Sequence, residues 1–197
     1  MNDRLQSQLQ FLIEIDKLKL IERQTRLLCG DHRRENDAEH SWHLALYVMI
    51  LKEYADTPDI DWLKVIKLVL IHDLVEIYAG DTFIYDEKAV AEKEEKEIAA
   101  AETLFALLPP DQAQEFHDLW QEFEKCQTPE SKFARIVDRM QPFLMNYTSG
   151  GGTWSRPEVT TQKVSDSMSV IFENSRTLGE FVQNAIDDAV RQGILRG

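Results

Sequence analysis

The sequence has little of several features that define other classes of protein. It contains two cysteines, Cys29 and Cys126, which lie far apart and form no Cys-x-x-Cys pair. We therefore expect two reduced, buried thiols rather than a disulfide framework or a cysteine zinc site. The longest apolar run, residues 44–51, is much too short to span a bilayer. Because the first ten residues are also polar and lack an apolar signal core, we expect a cytoplasmic protein with no membrane association.

Positive charge is also scarce. The 22 Lys and Arg residues face 35 Asp and Glu residues, which gives a formal net charge of −13. Binding a phosphate backbone needs a basic surface, so polymeric nucleic acid is not an expected partner. A small anionic substrate is compatible with this charge if a metal ion and local Arg or Lys side chains offset the repulsion.

Hydrophobic patterning predicts an all-α protein. The chain has 197 residues, of which 43% are hydrophobic and 29% charged, and this balance is typical of a folded globular domain. Apolar residues recur near the helical period, and few segments alternate as strands do. We expect one domain over residues 1–197, a bundle of roughly seven or eight helices with a core in 5–147 and C-terminal helices in 157–195. The predicted helices are 5–21, 38–54, 60–79, 86–108, 110–125, 129–147, 157–172 and 178–194. The polar stretches 23–37 and 149–153 are expected to be loops, the second of them flexible.

The most apolar helix carries an adjacent histidine and aspartate. Residues 65–77 are apolar on almost every side, as in the central helix of a bundle, yet they include His72 and Asp73. A buried carboxylate is costly unless an ion or a partner compensates it. Glu76 lies on the same face one turn later, and Asp81 follows closely. One short segment therefore presents four candidate ligands, acids or bases.

Two distant residues extend this group. A His-Asp pair alone is weak evidence, because a core histidine bonded to a carboxylate is the more common explanation of such a pair. However, His40 lies near the start of an earlier helix, and Asp138 lies within the otherwise apolar residues 133–144. Helical proteins assemble metal sites from such residues on facing helices. The sequence therefore offers a set of four candidate ligands.

The order His, His-Asp, Asp on helices resembles the HD superfamily of metal-dependent phosphohydrolases. Longer motifs are similar to the 5′-deoxynucleotidases of the YfbR type within that superfamily. These motifs are LKLIER at 18–23, RENDAEHS at 34–41, HDLVE at 72–76, Gly80-Asp81, and Asp138. The resemblance covers about residues 5–147, and the last fifty residues match only loosely.

The resemblance implies a function and a role for each matching residue. It implies a metal-dependent phosphomonoester hydrolase, a 5′-nucleotidase acting on (deoxy)nucleoside 5′-monophosphates, and often a homodimer. One divalent ion, Co²⁺, Mn²⁺ or a similar metal, would be held by His40, His72, Asp73 and Asp138. Glu76 and Asp81 would serve hydrolysis. Arg23 would bind the substrate phosphate, and Gln24 and Asp81 would also lie at the substrate.

One position departs from the family, and other functions stay open. Bacterial members carry a Trp after the Arg that matches Arg23, and that Trp helps to select deoxyribose, whereas this sequence has Gln24. The sugar preference is therefore not carried over. The alternatives are an HD-type phosphodiesterase or nucleoside-triphosphate hydrolase, and a non-catalytic metal- or nucleotide-binding module. The acidic chain argues mildly against polyphosphate substrates, and Glu76 and Asp81 argue against a module that only binds.

Overall fold

The computed structural model describes residues 3–196, apart from the side chains of residues 87–92. Helices dominate this part of the chain, which confirms the predicted helical fold, and the exception is one two-stranded sheet. None of its helices is both long enough and apolar enough to cross a membrane. In chain order the elements are α1 (Asp3–Glu14), β1 (Glu22–Arg26), β2 (Arg34–Asn36), α2 (Asp37–Leu51), α3 (Trp62–Ile71), α4 (Glu76–Ala79), α5 (Glu87–Phe105), α6 (Pro110–Lys125), α7 (Pro129–Thr148), α8 (Thr161–Ser167), α9 (Ser169–Asn174) and α10 (Arg176–Arg191).

Helix α3 lies at the centre of the fold, as its all-round apolar sequence predicts. It packs against α2, α6 and α7, and its Val65, Leu68 and Val69 are fully buried. Buried apolar side chains from Phe11 in α1 to Leu195 form one hydrophobic core with them. The prediction of a single domain over residues 1–197 stays a prediction.

The polar stretch predicted to be a loop contains a short antiparallel hairpin. Strands β1 and β2 pair with Glu22 opposite Asn36 and Arg26 opposite Arg34, with an irregular register between them. The loop prediction is therefore wrong for both strands. Strand patterns are recognised by alternating apolar residues, but here the buried positions are polar, Thr25 and Glu35. Such burial depends on partners elsewhere in the fold, which a local pattern cannot reveal.

Several predicted helices are shorter or broken. The segment predicted as one helix over 60–79 divides into α3, a 3₁₀ turn at His72–Val75 and α4. Residues 5–21 likewise change to a 3₁₀ turn after α1, and only α8 and α9 form within 157–172. The periods of 3₁₀ and α-helices, 3.0 and about 3.6 residues per turn, are too close to be separated by apolar spacing. A 3₁₀ turn inside a helical segment often marks a functional site.

The two cysteines are both free thiols, and their burial differs from the expectation. Cys29 lies in the connection between β1 and β2 and is exposed, so the prediction of a buried thiol is wrong for it. Cys126 is half-buried and ends α6 in a left-handed conformation. An exposed thiol in a hairpin connection contributes nothing to the core.

Hydrogen bonds anchor the glycine-rich loop that follows α7. The Oδ1 atom of Asn146 accepts from the backbone N–H of Thr153 at 2.9 Å and from its hydroxyl at 3.1 Å. Trp154, next in the chain, is buried with its ring 5.1 Å from that of Phe143. Gly152 has a φ of +48°, and a Cβ atom there would lie 2.4 Å from Asn146 Oδ1. The loop therefore has a defined place in the fold.

This anchoring predicts different effects for two glycine substitutions in the same loop. Gly150 also has a positive φ, but a Cβ atom there would have no neighbour within 4 Å. Gly150→Ala therefore measures backbone strain alone, whereas Gly152→Ala adds a clash with Asn146. We expect Gly152→Ala to lower the free energy of unfolding by about 1–3 kcal/mol more than Gly150→Ala, measured by urea denaturation. Equal losses in the two variants would show that the Asn146 contact does not hold the loop.

Candidate active site

The structure brings all four predicted ligand residues together. His40 of α2, His72 of the 3₁₀ turn and Asp73 each offer a ligand atom, and these atoms lie within 4.8 Å of one another. Asp138 of α7 lies opposite, with its Oδ1 atom 3.2 Å from His40 Nε2 and 3.6 Å from His72 Nε2. All four residues are buried. Three elements that are distant in sequence therefore converge on one small, enclosed cluster.

Fixed acceptors orient both imidazole rings. His40 Nδ1 lies 3.1 Å from the side-chain oxygen of Gln141, and His72 Nδ1 lies 2.9 Å from the carbonyl oxygen of Val69. When the rings are neutral, as metal binding requires, each Nδ1 donates its proton outward and each Nε2 directs a lone pair into the cluster. The Nε2 atom of His72 is buried and has no hydrogen-bond partner among the described residues. Two such nitrogens beside two carboxylates are a donor set that fits a divalent metal ion.

The electrostatics of the cluster favour positive charge at its centre. Burial alone would lower the pKa of His72, but the carboxylates of Asp73 and Asp138 raise it to about 10. Burial opposes ionisation of Asp138, yet the adjacent imidazoles of His40 and His72 hold its pKa well below the usual range. The carboxylates thus stay ionised, and a cation or imidazole protons must compensate them.

Arg23 reaches the cluster from β1, and its Nη1 atom donates hydrogen bonds to two carboxylates. This atom donates to Asp37 Oδ1 at 3.0 Å and to Asp73 Oδ2 at 2.7 Å. Glu35 Oε2 lies 3.9 Å from Arg23 Nε. In this arrangement Arg23 holds Asp73 in place. Sequence patterns do not reveal the buried Glu35 and Asp37, because both lie in a charged stretch of the kind that is typical of a loop.

Glu76 forms a second buried acidic group next to the cluster. It is only 2% exposed, and Lys93 Nζ lies 3.4 Å from its Oε1 atom and 2.7 Å from Glu97 Oε1. Burial, reinforced by Asp73 and Glu97 and opposed by Lys93, raises the pKa of Glu76 to about 9. Glu76 therefore keeps its proton at neutral pH in the metal-free protein.

Asp81 follows the end of α4 and faces the same cavity. Gly80 ends the helix with a φ of +79°, a conformation that favours glycine, and the chain turns there. Asp81 is half-buried, and burial raises its pKa, whereas the nearby Arg23 lowers it. Both residues predicted to serve hydrolysis, Glu76 and Asp81, thus lie beside the ligand cluster.

A cavity adjoins the cluster and is lined by most of the predicted site residues. These are Arg23, Gln24, His72, Asp73, Glu76, Asp81 and Asp138. The lining also includes residues that sequence reasoning missed, namely Arg135, Arg139, Asn146, Thr153, Ser167 and Met168. Gln24 Oε1 accepts a hydrogen bond of 2.5 Å from Arg156, whose guanidinium also lies 4.5 Å from the centre of the Phe83 ring. The C-terminal segment, predicted to lie outside the core region, therefore helps to form the cavity.

Known proteins of the same kind match over most of the chain. The model of the HD domain family matches residues 15–178. The 5′-deoxynucleotidase HDDC2 of Xenopus laevis is 31% identical over 191 residues, which cover 87% of this chain and 92% of the relative. The human 5′-deoxynucleotidase HDDC2 is 28% identical over 169 residues, which cover 78% of this chain and 81% of the relative.

A solved structure agrees with this match. The crystal structure of a protein from Magnetospirillum magnetotacticum, described as a predicted metal-dependent phosphohydrolase, superposes with a TM-score of 0.91 at 49% identity. The superposition covers 98% of this chain and 99% of that protein. The family match, the relatives and the convergence of His40, His72, Asp73 and Asp138 lead to one conclusion: the chain belongs to the HD-domain family.

Proposed function

We propose that this protein is a metal-dependent phosphohydrolase that acts on (deoxy)nucleoside 5′-monophosphates at the cluster of His40, His72, Asp73 and Asp138. The observation that carries the proposal is the convergence of these four buried residues at one end of a cavity. The names of the relatives agree with a hydrolase of nucleotide phosphates. The cavity beside the cluster supplies a place for the rest of the nucleotide.

The four residues are proposed as the ligands of one divalent ion. Gln141 and the Val69 carbonyl fix the rings so that both Nε2 atoms face inward, and Arg23 holds Asp73 by its Oδ2 atom. When bound, a divalent ion supplies positive charge against the phosphoryl oxygens and acidifies a neighbouring water. Arg23, Gln24 and Asp81 line the cavity and are proposed to contact the substrate.

Glu76 and Asp81 are proposed to move the protons of the reaction. Hydrolysis needs a group that takes a proton from water and a group that protonates the leaving 5′-oxygen. Glu76, with a pKa raised to about 9, is protonated at neutral pH and is suited to donate. Burial raises the pKa of Asp81 although the nearby Arg23 opposes the shift, and a more basic carboxylate is suited to accept a proton. We propose this division of roles for two residues whose participation the resemblance implies without distinguishing them.

Finer features of the function stay predictions. They are Co²⁺ or Mn²⁺ as the metal, a cytoplasmic location, and assembly as a homodimer. The choice between ribose and deoxyribose is a further open feature, because Gln24 occupies the position at which bacterial members have Trp and is held by Arg156.

Phosphate release from a panel of nucleotides tests the proposed function. The purified protein would be assayed with Co²⁺, Mn²⁺ and Mg²⁺ against 5′-monophosphates, cyclic monophosphates and triphosphates, each with both sugars. We expect turnover of the 5′-monophosphates alone. Turnover of cyclic nucleotides or triphosphates instead would favour the phosphodiesterase or triphosphatase alternative, and binding of metal without any turnover would favour a binding module.

The ligand assignment predicts that Asp73→Asn loses both metal and activity. The amide keeps the volume of the side chain but removes the negative charge, so the Co²⁺ content should fall and kcat/KM should drop by about a hundredfold or more. Metal content would be measured by mass spectrometry, and folding by circular dichroism. Asp187→Asn, an exposed change of the same type in α10, is the control and should retain metal and activity. A folded Asp73→Asn protein with full turnover and bound metal would refute the proposed site.

The raised pKa of Glu76 predicts a pH-dependent loss of stability in the metal-free protein. The folded state keeps the Glu76 proton up to about pH 9, whereas an ordinary Glu loses it near 4.5. Between these values the folded state binds more protons than the unfolded state, so the free energy of unfolding falls as pH rises. Glu76→Gln cannot ionise. The free energy of unfolding of Glu76→Gln minus that of the wild type should therefore increase above about pH 5. Near pH 8 the variant should be more stable than the wild type by at least about 1 kcal/mol.

Chemical denaturation of both proteins across this pH range checks that prediction. Glu102→Gln, an exposed change of equal charge in α5, is the matched control and should follow the wild-type curve. If the difference between Glu76→Gln and the wild type were independent of pH, Glu76 would not be protonated in the folded state. The activity of Glu76→Gln would then be interpreted without an acid role.

A further inference from the structure

Four cationic side chains line the cavity, and three of them are already bonded. Arg23 donates to Asp37 and Asp73, and Lys93 lies 2.7 Å from Glu97 Oε1. Arg135 donates to the carbonyl oxygen of Phe123 at 3.1 Å and lies 4.1 Å from the centre of the Phe123 ring. These three side chains therefore have structural partners within the protein.

Arg139, the fourth cation, makes no hydrogen bond within the described part of the chain, which is residues 3–196 without the side chains of 87–92. Its nearest acidic atom is Asp138 Oδ2, 3.9 Å from Nη1, which is beyond hydrogen-bond distance. The side chain is 27% exposed and lies on the cavity wall. This partly exposed guanidinium therefore has N–H donors that are free to bind an anion in the cavity.

The position of Arg139 directs it toward the ligand cluster. It follows Asp138 on α7, and successive helical residues lie about 100° apart, so Asp138 faces the histidines while Arg139 reaches the adjacent cavity. Asp138 itself presents Oδ1 to His40 and His72 and Oδ2 toward Arg139. An anion at the cluster would thus lie within reach of the Arg139 guanidinium, which has no hydrogen-bond acceptor among the described residues.

We propose that Arg139 binds the phosphoryl group of the substrate. This inference rests on the proposed function and deepens it: the resemblance implies phosphate binding by Arg23, but the Nη1 atom of Arg23 donates to Asp37 and Asp73. The planar guanidinium of Arg139 matches two oxygens of a phosphate monoester in a bidentate pair. It also supplies positive charge where a chain of net charge −13 needs it for an anionic substrate.

Substitutions of Arg139, with inorganic phosphate as the probe, test this inference. Calorimetric titration of phosphate into the Co²⁺-loaded protein gives the Kd, and hydrolysis of a 5′-monophosphate gives kcat and KM. Arg139→Met should raise the phosphate Kd and the KM by about tenfold or more, while the Co²⁺ content stays unchanged. Arg139→Lys keeps the charge without the fork and should give intermediate values. Arg139→Lys also gives the answer if Arg139→Met fails to fold.

Arg135→Met is the matched control. Arg135 Nη1 lies 3.8 Å from Asp138 Oδ2, almost the same distance as Arg139, but Arg135 is bonded to Phe123. Its replacement removes the same charge near Asp138 and also a packing contact. We expect a lower Tm with a phosphate Kd within about threefold of the wild type. An equal loss of phosphate affinity in both variants would overturn the specific role of Arg139 in favour of a general charge effect.

The remaining outcomes separate this inference from the proposed function. If Arg139→Met lost Co²⁺ together with phosphate affinity, Arg139 would only position Asp138, and the inference would be overturned. An unchanged phosphate Kd and KM in a variant that still hydrolyses monophosphates would overturn the inference but not the proposed function. A wild-type protein that binds phosphate through Arg139 but hydrolyses no 5′-monophosphate would refute the proposed function and leave the anion site in place.

Discussion

Compensation of buried negative charge is the constraint on which the structure depends. Asp73 and Asp138 lie in the apolar centre of the fold, where an isolated carboxylate is strongly destabilised. Two imidazoles and Arg23 face them, from α2, from β1 and from the turn that also carries Asp73. These contacts connect the elements that meet at the centre. The protein's own cationic groups compensate the carboxylates only in part, so the cluster can still accept a metal cation.

The rest of the fold serves this cluster. The turn at His72–Val75 interrupts the central helical segment where the chain must present His72 and Asp73 together. The hairpin contributes Arg23 and Glu35, and Gln141 joins Glu35 to His40 through bonds of 2.6 and 3.1 Å. Such outer contacts fix the orientation of ligand side chains and are as necessary as the ligands. Secondary structure that looks minor in extent is therefore central to the site.

The ligands could be predicted from the sequence because acidic residues stand in otherwise apolar segments. Asp73 and Asp138 are acidic residues in apolar helices, and this conflict is visible without a structure. The hairpin was missed because its buried residues, such as Glu35, obtain their partners from distant segments. The role of Arg139 was missed for a similar reason: adjacency to Asp138 says nothing about which other cations already have acceptors. Local patterns thus reveal unusual residues, but only the fold reveals which side chains already have hydrogen-bond or ion-pair partners.

The bond between Arg156 and Gln24 gives the cavity a property that neither residue has alone. It joins the C-terminal segment to the hairpin, while Thr153 and Ser167 form part of the same wall. Any molecule held between these parts would favour their association, and their association would in turn favour the molecule. Occupancy and docking of this segment are thus thermodynamically linked, so that exchange of its backbone amides with solvent would slow when the cavity is filled.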